Sequence, residues 1–125
     1  MGLWGEGVWQ SETQFDLVSD LGHDMGVKSL LFPKHPERVR AKLNDGRLED
    51  MFQILKRFKS NGEICLLAAA AMEVGADLSD DFRTYLKGEL EAGRGQMFEQ
   101  AQNEILEALV EYQNGVPHHF TGNDV

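Results

Sequence analysis

The sequence predicts an all-α protein, a compact bundle of about five to six helices around a buried, alanine-rich central helix. Three observations carry this. Apolar residues recur three and four apart in several separate segments, the spacing that lines one face of a helix. One segment, EICLLAAAAMEVG at 63–75, is apolar on every helical face, and such a helix is a buried one. No segment alternates apolar and polar residues over the length of a strand, and no internal repeat stands out.

The elements follow in order. Ser11-Glu12-Thr13-Gln14 has the form of a capping box, in which the serine accepts from the backbone three residues on and the glutamine reaches back. Trp9 stands just before it. Phe15, Val18 and Leu21 form a stripe, and Gly22 is a stop signal, so a first helix is predicted over 11–22. Leu30-Leu31-Phe32, bounded by Pro33 and Pro36, reads as a buried connection. Pro36 suits a first helical position and Val39 and Leu43 lie four apart, which predicts a short helix over 36–43. Asn44-Asp45-Gly46 ends it, and Asp45 can cap the next. Leu48, Met51, Phe52, Leu55 and Phe58 then mark a firm helical stripe, closed by Asn61-Gly62.

The central helix follows, and its four successive alanines let other helices come close. Ser79-Asp80-Asp81 opens another helix with Phe82, Tyr85, Leu86 and Leu90 as its stripe. Gly93 and Gly95 break the chain. A last helix over about 96–113 places Phe98, Ala101, Ile105, Ala108 and Tyr112 on one side, widened by Leu106, Leu109 and Val110. Asn114-Gly115 ends it. The expected organisation is a single helical domain over 1–115 and a flexible tail over 116–125.

Composition bounds the function. A chain of 125 residues is one domain by length. Its net charge is -9, from 12 basic and 21 acidic residues, which argues against nucleic-acid binding, whose footprint is basic. The charge is uneven: residues 1–27 and 60–125 are acidic, while 28–59 holds nine basic residues against four acidic ones. A basic middle between acidic flanks can neutralise itself if the segments pack side by side. The single cysteine, Cys65, excludes an intramolecular disulfide and fits a reducing compartment. No basic stretch precedes an apolar one as in a secretory leader, and the apolar run 64–72 is too short to cross a bilayer. A cytoplasmic protein without membrane contact is expected.

The opening stretch, MGLWGEGVWQSETQFD, places Trp4 and Trp9 within nine residues. Packing over the bundle is the first explanation, since buried aromatics mostly serve cores. The alternative is a pocket between helices, lined by Trp4, Trp9 and nearby carboxylates, as in a small enzyme or ligand carrier. The same residues carry a resemblance. Trp4-Gly5-Glu6-Gly7, Trp9 and Asp16 are similar to the opening of an uncharacterised family of small, largely helical bacterial and fungal proteins. There W-G-x-G and an aromatic residue precede Asn-Asp, with an Asp in the first helix. Here Ser11-Glu12 replaces Asn-Asp. The alanine-rich helix at 66–72 also resembles one in that family. The resemblance implies a helical fold and no activity.

Asp16, Asp20 and His23, or Asp24, share one face of the first helix, and carboxylates with an imidazole can hold a divalent cation. Against this stands a solvated acidic face, with no second cluster to complete the shell. No other cofactor is expected. His118-His119 reads as part of the tail. No catalytic residue is assigned: Cys65 lies in the most apolar stretch, where a thiol is inert, and Gly93-Arg94-Gly95 is too short for a phosphate loop.

The last helix carries Glu104, Glu107 and Glu111 at i, i+3 and i+7, with Glu99 nearby, and no Lys or Arg occurs between 95 and 125. The face is either solvated or met by a partner. That partner is either the basic 28–59 segment or another protein; in a two-fold dimer each acidic helix would meet the basic segment of a second copy, with Lys56, Arg57 and Lys59 as the contacts. The functional expectation is a protein–protein binding module, regulatory, inhibitory or immunity-like.

Overall fold

A computed structural model of the chain describes residues 8, 9, 12–31 and 33–120. Within them run α1 (Glu12–Met25), α2 (Pro36–Lys42), α3 (Leu48–Arg57), α4 (Asn61–Val74), α5 (Asp80–Glu91) and α6 (Glu99–Glu111). The described residues contain no strand. The fold is the all-helical bundle that the periodicity predicts, and α4 is its axis. All five other helices contact α4, and every residue from Ile64 to Val74 is buried. Ala68 to Ala71 are wholly inaccessible. Their methyl groups let neighbouring helices approach more closely than leucines would, because interiors are packed to crystal density.

The outer helices show the amphipathic faces read from the sequence. Phe52 of α3 stacks on Phe82 of α5, with ring centroids 4.3 Å apart, and Tyr85 meets Phe52 edge-on at 5.8 Å. Ala101, Ile105, Ala108 and Leu109 form the buried side of α6. At the start of α4, the buried Asn61 clamps three segments together. Its amide donates to Glu89 Oε1 and to the Arg94 carbonyl, both at 3.0 Å. Its oxygen accepts from the Tyr85 hydroxyl at 2.7 Å.

The boundaries differ from the sequence expectations in instructive ways. The first helix runs past Gly22 to Met25. A Cβ on Gly22 would come within 2.9 Å of the Val27 carbonyl and 3.1 Å of Leu30, so this glycine serves a close approach by the following loop. The stop is Gly26, at φ 71°. Residues 44–46 separate α2 from α3 as expected, with the chain kinked at Gly46, whose φ is 116°. Asp45 accepts the Arg47 N–H at 3.2 Å. Asn61-Gly62 opens α4 instead of closing α3, because the reversal falls at Lys59, whose φ is 55°. The last helix starts at Glu99 and ends at Glu111, two residues inside the expected limit, because Tyr112 is extended. Ser11 and Phe32 lie outside the described residues, and with them the capping box and one end of the expected buried connection. Leu30 is buried.

The chain after α6 does not behave as a loose tail up to Phe120. The Gly115 N–H donates to the Gly75 carbonyl at 3.0 Å, and the His118 N–H to the Met72 carbonyl at 2.8 Å. Pro117 packs on Gly75, which has φ 79°, and a Cβ there would lie 3.1 Å from the proline ring. Carbonyls at the C-terminus of α4 are thereby partnered, and the folded unit extends to at least residue 120. Residues 121–125 lie outside the described residues.

Burial pushes the Cys65 thiol up to about 12, and its sulfur lies 3.6 Å from the Gly95 carbonyl. Thiol reagents should therefore label the native protein far more slowly than the denatured one; equal rates would contradict the burial of α4. Ala69→Leu should destabilise by about 1–3 kcal/mol through overpacking, measured by denaturant unfolding.

Candidate functional site: an acidic helix face beside a buried carboxylate

Glu73 is the one carboxylate inside the described core, 4% exposed. An ion there is costly unless donors surround it, and the chain supplies them from both ends. The Trp9 indole N–H donates to Oε2 at 3.2 Å, and the Phe120 N–H donates to the same oxygen at 3.0 Å. His119 Nδ1 lies 2.7 Å from Oε1. Trp9 itself is wholly buried at φ 62°, and its ring centroid is 6.2 Å from that of Phe15. The packing role expected for Trp9 is what the geometry displays. Trp4 lies outside the described residues.

The next residues outward belong to α6. Glu104 Oε1 accepts the Val8 N–H at 2.9 Å, and Oε2 accepts from Gln100 at 3.2 Å. Glu104 is thus partly occupied in holding the amino-terminal segment. Glu107 and Glu111 are exposed, and no cation of the described residues pairs with them. Val110 between them is 68% exposed. A groove of about 610 Å³ runs along this face, lined by Glu104, Glu107, Glu111 and Val110 on one side and His118 and His119 on the other.

Within one chain the basic 28–59 segment does not lie beside these glutamates. Lys56 pairs with Asp81 of α5 at 3.3 Å and lies over the rings of Phe52 and Tyr85, 5.6 and 5.4 Å from their centroids. Hydrogen bonds from Gln53 and then Lys56 hold the Asp81 carboxyl below its ordinary range. Arg57 and Lys59 are exposed, with no ion pair among the described residues. The 28–59 segment therefore does not neutralise α6 within one chain, as its contacts go to α4 and α5.

Asp16, Asp20 and His23 are exposed along α1. Among the described residues, no group of three or more His, Cys, Asp or Glu side chains is placed to hold a metal ion. The cation site expected on α1 is not assembled: a single helix presents its ligands outward, and no second element of the described residues closes over them.

A second, open groove of about 1090 Å³ lies between α1, the start of α4 and the α5–α6 connection. Leu17, Leu66, Met97 and Phe98 give it an apolar floor, and Gln14, Lys59, Glu63 and Gln102 a polar rim. Trp9 is not part of it. Sequence reasoning missed both Glu73 and this groove. Glu73 had a readable signal, since a charge in the last turn of a helix apolar on all faces has no solvated side to reach. The groove had none, because its lining comes from segments far apart in the chain.

No protein-family model matches the chain, and no curated protein or solved structure matches it. Its function has to be read from its own residues.

Trp9→Ala should cost about 3–5 kcal/mol of stability, the range for deleting a buried aromatic. Glu73→Leu leaves the Trp9 and Phe120 donors buried without an acceptor, at about 1–3 kcal/mol each, whereas Glu73→Gln keeps an acceptor and should cost less. Denaturant unfolding measures all three, and an unchanged midpoint for Glu73→Leu would contradict the buried hydrogen bonds to Glu73.

Proposed function

We propose that the chain is a protein–protein binding module, of regulatory, inhibitor or immunity type, that receives a basic partner surface on α6. The observation that carries this reading is the pair Glu107 and Glu111, exposed beside Val110 and unmatched by any cation of the described residues. Like charges one turn apart are mildly destabilising in the free protein. A basic partner converts that cost into attraction, and a field of one sign also speeds encounter. Val110 adds apolar area to such a contact, since its burial against a partner is favourable. The cytoplasm suits a protein whose only thiol is buried and unpaired. No cofactor and no catalytic step belong to this reading.

A second reading rests on the groove of about 1090 Å³, whose apolar floor and polar rim fit the usual anatomy of a small-molecule site. It makes the chain a carrier or small enzyme for an amphipathic ligand. Raised melting temperature on a small-molecule screen, abolished by Leu66→Trp, would favour it.

The test of the first reading is charge reversal. Immobilised wild type should retain basic proteins from an extract of its native cells at low salt and release them at high salt. Glu107→Lys/Glu111→Lys should retain at least about tenfold less, with its circular dichroism unchanged. Equal retention by the reversed variant overturns the reading.

A further inference from the structure

We propose that the two ends of the folded chain close on Glu73 as one clasp. The carboxy-terminal strap, residues 115–120, and the amino-terminal segment at Val8 and Trp9 dock together and release together.

Glu73 is where they meet. The Trp9 indole N–H and the Phe120 N–H share Oε2, at 3.2 and 3.0 Å, and His119 Nδ1 stands 2.7 Å from Oε1. Each end also has a hold of its own. Glu104 of α6 accepts the Val8 N–H at 2.9 Å. The strap is tied to the end of α4 by the Gly115 N–H on the Gly75 carbonyl and the His118 N–H on the Met72 carbonyl. Residues 113–117 are exposed, while Phe120 is buried, so Phe120 is the strap's apolar anchor.

The ends depend on each other through water. A hydrogen bond to a carboxylate is strong where solvent cannot compete for it, and Glu73 is 4% exposed. Departure of Phe120 opens one side of that carboxylate, and the Trp9 bond then competes with water. Trp9 also sits at φ 62°, a conformation that a residue with a side chain keeps only while its surroundings hold it there. Once its bond weakens, that strain favours release. The reverse holds as well: when Trp9 leaves, water reaches Oε2 and the Phe120 bond weakens. Coupling of this kind is reciprocal by thermodynamic necessity.

Opening alters the α6 face. His118 and His119 form one wall of the groove beside Glu107 and Glu111, and Val8 occupies Glu104 Oε1. Release of both ends removes the wall, frees that oxygen beside the exposed pair and uncovers Glu73. The clasp is thus a switch between a covered and a more acidic form of the face, and it does not depend on what binds there.

Native-state hydrogen exchange of the full chain, followed by NMR at rising denaturant, tests this. In wild type, the Trp9 indole N–H and the amides of His118 and Phe120 should share one opening free energy. Their protection should lie at least about tenfold below that of the Leu67 to Ala70 amides of α4, which wait for global unfolding. Phe120→Ala should then lower the protection of the Trp9 indole and of the His118 amide by the same factor, about tenfold. Separate opening energies for the two ends overturn the clasp, as does a Trp9 indole unmoved by Phe120→Ala. Protection at both ends equal to that of α4 overturns it too, because their release is then global unfolding.

Discussion

A helix that is apolar on every side cannot touch water anywhere, and α4 imposes that condition on the whole chain. Its residues from Ile64 to Val74 have to be wrapped completely, so five amphipathic helices each turn one face inward and contact it. The four alanines at its middle set how near they come. Close approach is useful only if the wrapping leaves no gap, because voids forfeit dispersion contacts outright. The tight places in the chain fit this demand: Gly22 under the loop at Val27 and Leu30, and Gly75 under Pro117.

Five helices do not finish the wrapping. The C-terminal turn of α4 carries Glu73, and the two ends of the chain complete the cover there. Trp9 arrives from one side and Phe120 from the other, and both donate to the same oxygen. A buried carboxylate without donors would be intolerable; with them it fixes where each segment lies, since the donors must converge within hydrogen-bond distance. Glu104 repeats the device in weaker form by accepting the Val8 N–H. The accompanying cost is local strain at Trp9, whose positive φ is unusual for a residue with a side chain.

The parts of this structure that depend on periodicity were legible in the sequence. The stripe from Leu48 to Leu55, the all-round apolar run at 63–75 and the inner seam of α6 appear as read, whereas Phe58, the last residue of the expected stripe, is 72% exposed. Signals of termination were less reliable, because glycine and asparagine serve several ends. Gly22 is a contact point and Asn61 a buried clamp at a helix start. Each role is set by what packs against the residue, which local pattern does not contain. The same limit applies to the site. Glu104, Glu107 and Glu111 are visible as a stripe in the sequence, yet only the packed structure separates Glu104, which holds the amino-terminal segment, from its two outward neighbours. The docked segment 116–120 reads as a tail because its hydrogen bonds are made by backbone groups, and these leave no trace in residue type.

Charge segregation then explains why an unpaired acidic face falls on α6. The chain is acidic overall, and several of its described ion pairs are local to the α3–α5 side: Lys56 with Asp81, Arg94 with Glu89, Lys87 with Glu91. Arg83, a cation near the end of α6, is occupied by the carbonyl of Tyr112 at 3.0 Å and by Asn114. Arg40 is occupied by the Val74 carbonyl at 2.7 Å. These two guanidinium groups finish helix ends instead of neutralising carboxylates, which follows from the need to partner terminal carbonyls once their surroundings are packed. With those cations committed, none of the described residues supplies a positive charge to Glu107 and Glu111. Arg57 and Lys59 carry no ion pair among the described residues either but lie away from that face, and a face left charged in this way gains from meeting an opposite charge.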